Sequence, residues 1–498
     1  MKAINEKYRV KGDKVIWIIY ILFILISLVE VFSSMGKTVY EKQGGAITPM
    51  FFKHFFLLLS GIAICYVSHL INYVKYSRIA KPALYLSFAL LIFTLVMGYL
   101  SPGNKVASRW IVIPFIGQFQ PSEIVKYILI IYTATFLATN KSKIKEKQTC
   151  INIVVPILLI CGLIFPENFS TAALIGLVCY ILLLVGGINR KYLTTGLLLT
   201  LVCVGLIVLV ASKTKKMRSN TWINRIEEFR NPDRMEINQT NIALMAISTG
   251  GVQGKFIGNT ELARFLSESH NDFIFAIMLE EGGLWMCLFI VLMYISLLYR
   301  MIRIAKNAKG DFGSLLALGI ALVFILQAII NMMVATNLMP VTGQTLPFIS
   351  YGGTSFWFSS FALGIVLNIS RKENQKTRQD IILDDADNEA SSDEEILEEG
   401  DKDSSSQLCV LPSKIFVSWV GIFMTQKLKY NCCYYEKGMI TEKYHNDVPI
   451  GGKEIKEFIS MILNHINLCI FNRKLSRNLA FGVLSVRPAS ICKERRIR

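Results

Sequence analysis

Long apolar blocks alternate along this chain with short polar connectors, most of them basic. The blocks fall at 15–35, 52–73, 82–100, 124–139, 151–165, 171–187, 192–211, 272–298, 314–335 and 354–369. A helix rises about 1.5 Å per residue and a bilayer's hydrocarbon core is about 30 Å thick, so roughly twenty apolar residues cross it. Each block is near that length, two of them slightly short. The pattern predicts an all-α polytopic membrane protein of about ten transmembrane helices. No small-residue cleavage site follows the first block, which is therefore expected to be a retained span.

An even number of crossings returns both ends to one side, and the basic connectors say which. With both termini cytoplasmic, the inner segments carry Lys7, Arg9, Lys11 and Lys14, then Lys75, Arg78 and Lys81, then Lys141, Lys143, Lys145 and Lys147. Arg190 and Lys191, Arg300 to Lys309, and Arg371 to Arg378 complete the set, while the short outer loops are poor in Lys and Arg. One outer segment departs from this. Residues 212–271, a large extracytoplasmic loop between helices 7 and 8, carry Lys213, Lys215, Lys216, Arg218, Arg225, Arg230, Arg234, Lys255 and Arg264. Long loops translocate regardless of charge, so the topology stands. The loop has two readings: a surface for an anionic partner such as lipid headgroups or a phosphorylated substrate, or a solvated face lying on lipid.

Composition agrees with the pattern. Of 498 residues, 53% are hydrophobic, and the mean hydropathy is +0.45. The net charge of +17 is concentrated in loops and tail, which fits membrane topology and gives no ground for a nucleic-acid partner. The 11 cysteines have no metal-site or disulfide spacing, and Cys65, Cys150, Cys161, Cys179, Cys203 and Cys287 read as small apolar packing residues. Three regions follow: a transmembrane domain over 1–372, an acidic, Ser-rich linker over 373–410, and a basic tail over 411–498 to which no function is assigned.

Three segments carry candidate chemistry. The first runs from Arg109 through Gln120-Pro121-Ser122-Glu123 to Lys126. Pro121 suits a helix start, and Glu123 and Lys126 share one helix face three residues apart. They either neutralise each other and pin two helices, or leave Lys126 facing a cavity to contact an anion. The second runs from His270-Asn271-Asp272 to Glu280-Glu281 and puts a carboxylate at the mouth of a membrane-length helix. Asp272 there either serves chemistry or merely satisfies the helix dipole. Glu280 and Glu281 lie deeper and read as packing or helix-pairing groups. The third, Met339 to Ser355, holds Pro340, Gly343, Pro347, Gly352 and Gly353, too irregular for helix. Backbone of that kind at the membrane is tolerated only when buried or lining a cavity, so a rigid re-entrant loop is expected. The glycines at 250, 251, 254 and 258 fit neither nucleotide-binding fingerprint.

Taken together, Gln120-Pro-Ser-Glu-Ile-Val-Lys126, His270-Asn-Asp-Phe-Ile-Phe275 and Pro340-Val-Thr-Gly343 through Pro347-Phe-Ile-Ser-Tyr-Gly-Gly353 resemble the motifs of the SEDS family (shape, elongation, division and sporulation), in family order over about residues 10–372. The resemblance implies a peptidoglycan glycosyltransferase polymerising lipid II, the undecaprenyl-diphosphate-linked disaccharide-peptide, on the outer face of the bacterial cytoplasmic membrane. It implies a class B penicillin-binding protein as partner. The Ser27–Ser34 stretch resembles the division branch, which implies other divisome proteins and a septal location. The family's essential acid falls on Asp272. Its anion-binding face falls on Arg109, Gln120, Ser122, Glu123 and Lys126, and Lys255, His270, Thr342 and Ser350 are expected at the substrate. The family's Pro-Asp-Leu-Gly-Thr motif stands here as Pro166-Glu-Asn-Phe-Ser-Thr171, so no role passes to its acid.

The chemistry is compatible. A lipid diphosphate is already a good leaving group, so one carboxylate to take a proton and several cations for the departing charge suffice, unlike the paired acids of glycoside hydrolysis. Asp272 is expected to be the general base and Arg109, Lys126 and Lys255 to hold diphosphates, with Glu123 orienting Lys126. No cofactor is implied, and a divalent cation assisting the diphosphate stays open. The alternatives are a flippase for the same precursor or a non-catalytic divisome scaffold.

Overall fold

The computed structural model describes residues 12–42, 48–100, 111–113, 117–166, 168–196, 198, 225, 239–263, 265–266 and 269–371, all within one compact unit, Met1–Lys427. Arg109, most of the seventh apolar block, most of the cationic loop, the acidic linker and the basic tail lie outside them. The helices are α1 (Lys14–Lys42), α2 (Thr48–Leu70), α3 (Val74–Leu100), α4 (Pro121–Thr139), α5 (Lys147–Ile164), α6 (Phe169–Val185), α7 (Gln239–Gly250), α8 (Ile274–Asn307) and α9 (Asp311–Ala335). A further helix, α10, covers 354–371. Strands β1 (Ile111–Ile113) and β2 (Gly117–Phe119) pair antiparallel ahead of α4, a small addition to a helical fold.

Among the described residues seven helices are long and apolar enough to cross a membrane, and α6 is apolar but shorter. They coincide with predicted blocks. Helices α4 and α9 are the enclosed ones, whereas α2 and α3 leave most of their surface outward. α8 packs along α9 and α1, and α4 along α3, α9 and α6. Polar side chains in a lipid-facing helix are costly. The interior helices are thus where chemistry can be housed.

Short polar staples hold one end of the bundle. Asp13 caps α1 by accepting from Val15 N at 2.9 Å, and its carboxylate also binds Arg300 at the end of α8 at 2.6 Å. Its own N–H donates to Ser370 of α10 at 3.0 Å. Asn368 accepts from Tyr73 N at 3.0 Å, the Tyr73 hydroxyl donates to the Lys309 carbonyl at 3.1 Å, and Lys141 pairs with Asp311 at 2.9 Å. These bonds gather the basic connectors near Lys14, Lys75, Lys141, Lys309 and Arg371 at the same end. The positive-inside pattern requires that grouping.

Candidate active site

The site lies around the start of α4. Pro121 occupies the first turn, where a missing N–H costs nothing. Gln120 ahead of it donates from Nε2 to Ser122 Oγ at 2.9 Å. One turn along, Lys126 Nζ is 2.9 Å from Glu123 Oε2, and Ser355 Oγ donates to the same oxygen at 2.8 Å. Lys126 also donates to Gln327 Oε1 of α9 at 3.2 Å. The lysine is 1% exposed. Its charge is therefore held by a carboxylate and an amide rather than by water, the condition under which a buried ion pair persists.

Gln327 reaches from this pair to the irregular segment after α9. Its Nε2 donates to the Thr345 carbonyl at 3.1 Å. Residues 336–353 are not helical, yet none of them is exposed and 346–350 are buried, with Ile349, Leu346 and Phe348 enclosed. The irregular backbone expected from its prolines and glycines is what this segment shows. Phe348 sits at φ 67, a conformation a bulky residue keeps only when its surroundings enforce it. Here they do: its ring is boxed by Phe324 at 4.9 Å, Tyr20 at 5.4 Å and Phe23 at 6.0 Å. Gln344 extends the network by donating to Thr171 Oγ1 at 2.8 Å.

The same loop grips the turn ahead of α8. Three consecutive carbonyls of that turn are each bonded. His270 O accepts from Tyr351 N at 2.9 Å, Asn271 O from Ser350 Oγ at 2.7 Å, and Asp272 O from Asn331 Nδ2 at 2.9 Å. Asn331 completes the tie by donating to the Gln344 carbonyl at 2.8 Å. Backbone held at three successive positions leaves the Asp272 side chain, partly exposed, on a fixed base.

The model of the family described as "Cell cycle protein" (FtsW, RodA, SpoVE) matches residues 13–375. The chain belongs to this family. It is 32% identical over 370 residues to the "Probable peptidoglycan glycosyltransferase FtsW" of Bacillus subtilis, covering 71% of this chain and 90% of the relative. The protein of the same name from Trichlorobacter lovleyi is 33% identical over 322 residues, 63% of this chain and 81% of that one. Among solved structures, a chain of a peptidoglycan synthase complex superposes with a TM-score of 0.58 at 21% identity, over 73% of this chain and 99% of that one. The Thermus thermophilus rod shape determining protein RodA does so with a TM-score of 0.53 at 21% identity, covering 73% and 97%. At such identity these two matches carry the fold alone.

In this FtsW/RodA/SpoVE-family chain, Gln120, Ser122, Glu123, Lys126, His270, Asp272, Thr342 and Ser350 all lie on the three segments that meet here. Thr342 is buried, its hydroxyl without a hydrogen-bond partner among the described residues. Arg225 of the 212–271 segment donates to the neighbouring Val341 carbonyl at 3.0 Å, which brings one guanidinium of that segment to the site. Gln327, Asn331, Gln344, Thr171 and Ser355 escaped the sequence reading. A signal existed for two of them: Gln327 and Asn331 stand four apart within an apolar span, one polar face on an otherwise hydrophobic helix.

Lys255 is differently occupied. Its ammonium lies 3.2 Å from Glu280 and 3.3 Å from Glu261. Burial alone would lower its pKa, but these two carboxylates hold it above the ordinary lysine value. Thr260 Oγ1 and Glu261 N also donate to Glu280, at 2.7 and 3.0 Å. The glycines nearby serve this docking. α8 is broken at Gly283 (φ 59, ψ −152), and the 252–256 backbone fills the break, with Leu284 N donating to Val252 O at 3.0 Å and Phe256 N to Glu281 O at 2.8 Å. A Cβ at Gly254, which has φ +80, would stand 2.1 Å from the Glu281 carbonyl oxygen. Gly254→Ala is expected to lower the thermal midpoint of the detergent-solubilised protein markedly, since the left-handed conformation alone costs about 1–2 kcal/mol. A wild-type midpoint would show that the loop does not dock this way.

Glu281 accepts from Ser33 Oγ and from Gly258 N, and Glu30 of α1 lies within its electrostatic reach. Glu30 is 0% exposed, and neither of its carboxyl oxygens has a hydrogen-bond partner among the described residues. A buried polar group left unpaired costs about 1–3 kcal/mol. Glu30→Met, similar in length and apolar, is therefore expected to raise the thermal midpoint. A lowered one would mean that Glu30 supports Glu281. Among the described residues no group of three or more His, Cys, Asp or Glu side chains is arranged to hold a metal ion.

Proposed function

We propose that this chain is a peptidoglycan glycosyltransferase that polymerises lipid II into β-1,4 glycan strands on the outer face of the cytoplasmic membrane, in septal synthesis. The observation that carries this reading is the clamped His270–Asp272 turn, which Asn331 ties to the 344–345 backbone that Gln327 in turn joins to the Glu123–Lys126 pair. Asp272 takes the proton of the acceptor sugar 4-hydroxyl as its oxygen bonds to the donor anomeric carbon. The bond from that carbon to the donor diphosphate breaks in line, and the diphosphate leaves with the electron pair. Inversion of the α-linked donor gives the β linkage.

Cations meet the departing charge. Arg109 and Arg225 are the groups for direct contact with diphosphate. Enclosed Lys126 contributes its field and holds the α4 end, oriented by Glu123. Lys255, bound to Glu280 and Glu261, anchors the outer loop and adds positive potential. Gln120, Ser122, His270, Thr342 and Ser350 contact the substrate or brace the groups that do. The steps above use no divalent cation. The relatives' name supports the activity, and a class B penicillin-binding protein is the partner that the family resemblance implies. Other divisome proteins and the septal site follow from the division branch. Both termini are cytoplasmic in this reading, across ten spans.

The test is to reconstitute the chain with its penicillin-binding protein in liposomes and supply fluorescent lipid II. Muramidase-sensitive polymer is expected from wild type. Translocation of lipid II without polymer would overturn the reading in favour of a flippase, and neither activity would favour a scaffold.

A further inference from the structure

The 346–351 segment that grips the Asp272 turn is itself held from the first two helices. Ser27 Oγ on α1 donates to the Ile349 carbonyl at 2.7 Å and lies 3.1 Å from His54 Nε2 on α2. A serine hydroxyl has one proton. That proton is committed to Ile349, so Nε2–H of His54 is the donor at the second contact. His54 is 2% exposed, and its ring lies 5.3 Å from the Tyr351 ring, which in turn meets His270 edge-on at 5.7 Å. Tyr351 N and Ser350 Oγ are the donors to the His270 and Asn271 carbonyls. A continuous path therefore runs from His54 through Ser27 and the 349–351 backbone to the turn that bears Asp272.

We infer that Ser27 and His54 are positioning residues for the transfer reaction. The Ile349 carbonyl belongs to irregular backbone that no helix or sheet supplies with a donor, and in an apolar interior such a group needs one. Ser27 provides it, and His54 keeps the serine rotamer turned toward Ile349 while its ring braces Tyr351. Loosening this latch lets the turn shift, and a catalytic group misplaced by about 1 Å loses about a hundredfold in rate. The inference rests on the reading of Asp272 as the base.

The experiment compares Ser27→Ala, Ser27→Thr, His54→Phe and His54→Gln in the full chain with its partner, measuring kcat, KM for lipid II and thermal midpoint. Ser60→Ala is the control: it removes a bond of similar kind between α2 and α10, Trp357 Nε1 to Ser60 Oγ at 2.8 Å, away from the turn. Ser27→Ala and His54→Phe are expected to lower kcat by about tenfold to a hundredfold with KM little changed, the range set by displacements of up to about 1 Å. Ser27→Thr and His54→Gln, which keep the hydroxyl and the donor, should recover most of it, and Ser60→Ala should retain wild-type kcat. Wild-type kcat in folded Ser27→Ala, or an equal loss in Ser60→Ala, overturns the inference. If Ser27→Ala does not fold, His54→Phe, which keeps the ring packing and removes only the donor, carries the same test. Activity in Asp272→Ala would instead overturn the base assignment, so the two failures are distinguishable.

Discussion

Asp272→Asn is expected to lower lipid II polymerisation by about 10²–10⁴-fold, the usual contribution of a positioned general base. The substitution keeps the shape of the side chain and removes only its ability to take a proton. The turn should not move, because its three anchors act on the backbone carbonyls of His270, Asn271 and Asp272 and not on the carboxylate. Thermal midpoint and partner binding should accordingly match wild type. Polymer formed at the wild-type rate by a folded Asp272→Asn protein would remove the base from the mechanism and return Asp272 to the role of a helix-end acid.

The second large effect concerns Lys126. Lys126→Met takes the ammonium from a site where Glu123 is enclosed and leaves the carboxylate with Ser355 as its remaining hydrogen-bond partner among the described residues. Breaking a buried pair on one side costs about 3–5 kcal/mol, so the single variant should be strongly destabilised. Replacing both partners by neutral groups of similar size often restores stability. The double variant Glu123→Gln/Lys126→Met is therefore expected to recover the thermal midpoint. If the lysine's field assists the leaving diphosphate, polymerisation in the double variant should still fall by at least about tenfold, well within what one preorganised electrostatic group contributes. Full activity in the double variant would leave the pair with a purely structural role.

Much of the fold was legible because hydropathy is a one-dimensional property. A block of apolar residues long enough to cross a bilayer becomes a helix wherever it sits, since its backbone must bond internally. Pro121 at the head of α4, the i,i+3 spacing of Glu123 and Lys126, and the proline- and glycine-rich 339–355 segment all announced their local structure. The site was legible in part, as three segments that had to meet. Most of the partners that join them were not, because polar residues such as Thr171, Gln344 and Ser355 look unremarkable until the chain is folded.

The glycines show the same limit from the other side. Their spacing at 250–258 fits no nucleotide-binding fingerprint and so names no role, whereas in the fold Gly254 is needed because another backbone passes where its Cβ would be. Lys255 is expected at the diphosphate from the sequence, and only the fold shows that Glu280 and Glu261 hold its ammonium.

By itself the sequence determined the apolar helices, the basic connectors gathered at one end, and the acid at the mouth of α8, all consequences of local composition against a membrane. Tertiary structure alone decided what holds that acid. Ser27 meets Ile349 across 322 positions, Gln344 meets Thr171 across 173, and Asn331 meets Asp272 across 59. Contacts of that range depend on how helices pack, because irregular backbone inside a membrane protein must take its hydrogen bonds from whichever side chains the fold brings to it.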